Sequence, residues 1–146
     1  METLRYLLDT NALSDLIRQP AGAVARRIKN EGENSVCTSI VVACEMRYGA
    51  AKKGAIALTE KIEKLLANIE ILPLAQGVDR HYADLRTQIE KIGQPISAHD
   101  LLIAAHALSL GLTVVTANLR EFSKVPGLSV ENWLDFAPDA GGTTST

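Results

Sequence analysis

The chain has 146 residues, 47% of them hydrophobic and 4% aromatic, with a formal net charge of -2. That length accommodates one domain with a sizeable core and is short for two. A slightly acidic chain with few aromatic rings is poorly suited to coating nucleic acid or stacking on its bases, so any nucleic acid it handles must meet a local site or a partner's charge.

No apolar run reaches the length of a membrane span, and Met1-Glu2-Thr3-Leu4 lacks the basic and apolar regions of a signal peptide. The expectation is a cytoplasmic protein without membrane contact. Cys37 and Cys44 have no metal-type spacing and are expected to be buried, reduced thiols.

The chain opens with the apolar run Tyr6-Leu7-Leu8, which stops abruptly at Asp9-Thr10-Asn11. In an open α/β sheet, ligands bind beyond the carboxyl ends of the strands, so an acid there is a candidate for metal or phosphate chemistry. Asp and Thr are also good N-cap residues, and capping is the competing account of this stretch. Short helices are expected over Ala12 to Leu16 and Ala21 to Lys29, then a strand at Ser35 to Thr38.

Ser39 caps a helix running to about Ala51. Val41, Cys44 and Tyr48 fall at helical spacing and are expected to face inward, with Glu45 on the same stripe. A carboxylate so placed is costly unless paired, protonated or metal-bound, which makes Glu45 a candidate site residue. A surface pair with Arg47 or Lys52 is the alternative.

A helix over Ala55 to Asn68, with Ile56, Ile62 and Leu66 apolar, leads to a strand at Ile69 to Leu72. A long helix from about Gln76 to Ile92 ends at Gly93. Ser97 and Asp100 then have capping-box spacing ahead of Leu101-Leu102-Ile103-Ala104-Ala105, a helix apolar nearly all round and therefore central. Asp100 can cap, and it also stands at the mouth of that helix.

Thr113 to Thr116 is a β-branched strand, with Asn118 and Glu121 just past it, and Leu128 to Trp133 holds a last strand. His99 and His106 share one helix, but their spacing does not make a zinc site. The domain is expected to span residues 1–136, with 137–146 a disordered tail.

Strands alternating with helices predict a three-layer α/β domain with a mainly parallel sheet. Acids drawn to one sheet end repel one another unless a cation neutralises them, and oxygen-only donors suit Mg²⁺ or Mn²⁺ rather than Zn²⁺. Such ions support phosphodiester hydrolysis.

Several pieces, in this order and spacing, resemble PIN-domain ribonucleases, and within them the VapC and FitB toxins of type II toxin–antitoxin systems. They are Leu7-Leu8-Asp9-Thr10-Asn11, Glu45 with Tyr48-Gly49-Ala50, Asp100-Leu101-Leu102-Ile103-Ala104-Ala105, and Val115-Thr116-Ala117-Asn118 with Glu121-Phe122. The resemblance implies a magnesium-dependent endoribonuclease with Asp9, Glu45 and Asp100 as its acidic core, acting on structured RNA such as transfer RNA. It also implies a homodimer and a cognate antitoxin, through which alone DNA would be met. Many PIN domains carry Asp where this chain has Asn118, and Glu121 is the candidate replacement carboxylate. A haloacid-dehalogenase-type phosphatase needs a second Asp at the position of Asn11. A catalytically weak binding module, acting through a DNA-binding partner, is the alternative that Asn118 keeps open.

Overall fold

The computed structural model describes residues 3–134. Within them the chain runs β1 (Tyr6–Leu8), α1 (Thr10–Arg18), α2 (Ala23–Glu31), a 3-10 turn (Glu33–Ser35), β2 (Val36–Ser39), α3 (Ile40–Lys53), α4 (Ile56–Ala67), β3 (Glu70–Leu72), α5 (Val78–Lys91), α6 (Ala98–Leu110), β4 (Thr113–Val115), α7 (Leu119–Phe122) and β5 (Val130–Glu131). The strands form one sheet in the order β3-β2-β1-β4-β5, and every pairing is parallel. Parallel neighbours require crossovers, and the helices that supply them cover the sheet in the expected three-layer arrangement.

This order makes β1 the central strand, with the first crossovers moving to one side and β4 returning to the other. The carboxyl ends of β1 and β4 thus meet at the point where the winding reverses, where α/β sheets leave a crevice. Leu7, Leu8, Val114 and Val115 are wholly buried in the two strands. Truncating either leucine to alanine should cost about 2–5 kcal/mol. Thr38 Oγ1 donates to the Leu8 carbonyl at 2.7 Å, which ties β2 to the end of β1 by a side chain as well as by the ladder.

Ser39 caps α3 as expected, its hydroxyl accepting the Val41 N–H at 3.0 Å. Gly111 ends α6 in the left-handed conformation, at φ 68°, where a side chain would be strained. α5 packs along α6, so the apolar helix lies inside as its composition predicts.

Some expectations need correction. The buried face of α3 is Val42, Ala43, Met46 and Ala50, with Val41 at its margin, while Cys44 and Tyr48 are exposed. Small residues surround this helix, so apolar spacing alone did not identify the face that docks. Ile56, at the start of α4, is likewise exposed; Ile62 and Leu66 carry the packing. α1 begins two residues earlier than expected, α2 two later, and β5 is shorter than Leu128 to Trp133. The proposed boundary at residue 136 and the tail from 137 lie outside the described residues.

Candidate active site

Asp9 follows β1 directly, and its backbone N–H donates to the Val115 carbonyl at 2.9 Å, adding one bond to the β1–β4 ladder. The residue is only 4% exposed. It occupies the N-cap position of α1, where its carbonyl accepts the Leu13 N–H at 3.1 Å, but its side chain makes no capping hydrogen bond. Burial pushes its pKa up, and the Glu45 charge pushes the same way; the Thr10 backbone N–H and the Thr116 and Thr10 hydroxyls pull it back.

The polar residues beside Asp9 hold it in place. Thr116 Oγ1 donates to Asp9 Oδ2 at 3.1 Å and accepts the Asn118 N–H at 2.9 Å. Asn11 Oδ1 accepts the Ala117 N–H at 2.7 Å and lies 3.3 Å from the same Thr116 hydroxyl, whose single proton is shared between two acceptors. These bonds fasten the segment after β4 to the first turn of α1. A carboxylate held in this way keeps its direction without a counter-ion.

Glu45, half-buried on α3, accepts the Thr10 hydroxyl at 2.8 Å through Oε1, while its Oε2 lies 3.4 Å from Nδ1 of the exposed His99. Asp100 is in the first turn of α6, where its N–H donates to the Ser97 hydroxyl at 3.1 Å. Capping there uses the Asp100 backbone. Burial raises the Asp100 carboxyl, and the Asp9 and Glu121 charges raise it further, against a Ser97 hydrogen bond and His99. The carboxylates are therefore within electrostatic reach: Asp9 with Glu45, and Asp100 with both Asp9 and Glu121.

Asn118 and Glu121 border this group differently. Asn118 precedes α7 at its N-cap position without a side-chain cap bond. Glu121 pairs with Lys124 at 3.0 Å, and the same ammonium donates to the Pro95 carbonyl at 2.8 Å. Its charge is thus partly answered from within the chain. His106 stands apart from the acids, buried beside Ser39.

Among the described residues, no three His, Cys, Asp or Glu side chains gather into a ready-made metal cage. Mg²⁺ does not need one, because it keeps several waters and is commonly held by one or two carboxylates. An oxygen-only donor group in which the Glu45 charge raises Asp9 and the Asp9 and Glu121 charges raise Asp100, with no ion-paired Lys or Arg on Asp9 or Asp100 among the described residues, fits such an ion.

A groove of ≈ 280 Å³ opens beside Thr10 and Glu45, its lining including Met46, Ile62, Arg18 and Lys53. A larger cavity of ≈ 700 Å³ lies at the amino ends of the strands, beside Leu4, Val36 and Glu70, away from the acids. Sequence reasoning missed the Thr10 and Asn11 contacts. The available signal was the unbroken polar triplet after a buried strand, which is more than one cap requires.

Fold and site together define an α/β domain with an acidic crevice at the carboxyl ends of its central strands. The PIN domain family model matches residues 6–128, and the chain belongs to that family. It is 33% identical over 131 residues to the tRNA(fMet)-specific endonuclease VapC of Salmonella typhimurium, a match covering 89% of this chain and 98% of that protein. It is 37% identical over 136 residues to ribonuclease VapC2 of Haemophilus influenzae, covering 90% and 99%. The crystal structure of VapBC2 from Rickettsia felis bound to a promoter DNA fragment superposes with a TM-score of 0.83 at 32% identity, covering 89% of this chain and 99% of that one.

Proposed function

We propose that this chain is a divalent-metal-dependent endoribonuclease, the toxin of a toxin–antitoxin pair, with transfer RNA as its substrate class. The observation that carries this reading is the coupling of Asp9, Glu45 and Asp100 at one sheet end, in a chain whose VapC relatives are named as ribonucleases. Asp9, Asp100 and Glu45 would hold the ion, Mg²⁺ or Mn²⁺, directly or through water. When bound, it supplies positive charge and Lewis acidity toward a phosphodiester.

The chain's own residues supply orientation. Thr116 aims the Asp9 carboxylate, Thr10 aims Glu45, and Asn118 offers a neutral amide at the rim. Glu121, held by Lys124, contributes field more than a ligand oxygen. Arg47 is engaged by both oxygens of Glu63, which leaves Lys52, Lys53 and Arg120 as the better candidates to attract RNA phosphates.

The protein is proposed to act as a homodimer in the cytoplasm, restrained by a cognate antitoxin and meeting DNA only through it. No helix among the described residues is long and apolar enough to cross a membrane. Residues 1–136 would form the catalytic domain. Purified protein should cleave transfer RNA with Mg²⁺, stop when the metal is chelated, and lose activity in Asp9→Asn. An antitoxin fragment should suppress cleavage. RNA binding without metal-dependent cleavage would instead favour the catalytically weak module that Asn118 suggests.

A further inference from the structure

Glu45 and Asp100 are carried by separate helices, α3 and α6, which touch each other inside the protein. Three of the six buried residues of α6 are alanines, Ala104, Ala105 and Ala107, wholly covered beside the larger Leu101 and Ile103. Alanine surfaces allow close approach but have little shape, so they resist sliding or rotation weakly. One polar side chain interrupts them. His106, 1% exposed, places Nδ1 2.9 Å from the hydroxyl of Ser39 across 67 residues of chain.

Ser39 is the N-cap of α3, so its hydroxyl sits where that helix takes its direction. Ser39 lies six residues before Glu45, and His106 six residues after Asp100. Each anchor is therefore ~9 Å along its helix from the acid it accompanies. A rotation at the anchor is carried to the acid by a rigid element.

His106 is a poor choice if the need is only to fill the core. Its Nε2 is buried without a hydrogen-bond partner, and burial lowers the imidazole pKa; the Pro73 carbonyl works the other way without reaching hydrogen-bond geometry. An apolar side chain of similar volume would avoid that orphan atom. Its value is direction: a buried hydrogen bond has one good geometry, whereas an apolar contact has many.

We propose that the His106–Ser39 hydrogen bond is a positioning device that sets the spacing of Glu45 and Asp100 at the metal site. This rests on the reading of that site given above. Both residues are buried and lie outside the group of acids that would hold the ion.

The test uses the full-length protein and titrates Mn²⁺ by calorimetry, alongside thermal unfolding and the kinetics of transfer RNA cleavage. His106→Leu should remain folded and bind Mn²⁺ about tenfold more weakly, within the range seen when groups supporting metal ligands are removed. Its kcat should fall with little change in KM. His106→Asn, which can restore a hydrogen bond to Ser39, should recover affinity and kcat. If His106→Leu fails to fold, Ser39→Gly decides, because glycine is tolerated at an N-cap but lacks the hydroxyl. A folded variant without this bond that binds Mn²⁺ and cleaves like wild type overturns the proposal while the nuclease reading stands. Wild-type protein showing no Asp9-dependent Mn²⁺ binding removes the metal site itself, and this inference with it.

Discussion

The Thr10 hydroxyl donates to Glu45 Oε1 at 2.8 Å, joining the first residue of α1 to the middle of α3 across 35 positions. Glu45 is thus aimed by a neighbour of Asp9, and the two acids share one support. Thr10→Val keeps the shape and removes the donor. It should leave the fold intact, lower cleavage about tenfold, as expected when a supporting hydrogen bond is lost, and be rescued by Thr10→Ser. Equal kcat in Thr10→Val and wild type would show that Glu45 needs no such support.

Asp9 offers a contrast between stability and activity. Because burial raises its folded-state pKa, ionising it works against the fold: stability is full below the unfolded value and falls as pH rises through the folded one. Asp9→Asn retains an oxygen for the Thr116 hydroxyl and avoids that ionisation. At neutral pH and without metal, the variant should unfold at the wild-type temperature or above it, yet lack cleavage. Calorimetric scans with and without Mg²⁺ check this, and Mg²⁺ should stabilise only the wild type.

His106 gives a pH dependence of the opposite sign. Burial lowers its pKa in the folded protein, so the unfolded chain takes up this proton first as pH falls. Its contribution to stability is complete above about 6.5, the unfolded value, and is lost as pH drops from there through the folded pKa. Denaturant titrations across that window should show a slope in the wild type that is reduced in His106→Asn.

Glu121 and Asn118 can be separated by paired variants. The Lys124 contact at 3.0 Å already answers much of the Glu121 charge, so Glu121→Ala should reduce cleavage far less than Asp9→Asn does. Asn118→Asp adds a carboxylate near the acids and should strengthen divalent-metal binding while lowering metal-free stability. Wild-type rates in Glu121→Ala at every magnesium concentration would remove Glu121 from the site.

The two thiols should behave differently. Cys37 is buried, its sulfur 3.4 Å from the Tyr6 carbonyl, and burial pushes its pKa up to about 12; Cys44 is exposed. A water-soluble thiol reagent should therefore label one cysteine in the folded protein, and peptide mapping should find the label on Cys44.

Much of this architecture was legible because its signals are local. The abrupt polar stop after Tyr6-Leu7-Leu8, the Ser39 cap and the Gly111 stop can each be read within a few residues. Glu45 was selected from a stripe that proved to be partly solvent-facing, because α3 is lined with small residues on several sides. It lies at the boundary between the buried and exposed faces, where periodicity discriminates least. Thr116 could be read as a residue able to hydrogen-bond the site, and it does so at Asp9, but the pairing of the other supports was not legible. Asn11 meets Ala117 across 106 residues and His106 meets Ser39 across 67, and no window of sequence contains both partners.

The central place of β1 also has a consequence in time. Asp9 is made 107 residues before the Thr116 that orients it, which lies just past the strand that completes its other side. At ~5–20 residues per second, the ribosome needs roughly 5–20 seconds to span that interval. Throughout it, the emerging chain carries Asp9 without the strand that shapes its surroundings. Any product abandoned before β4 has the first acid of the crevice and none of the crevice, so competence waits for β4 and arrives with it.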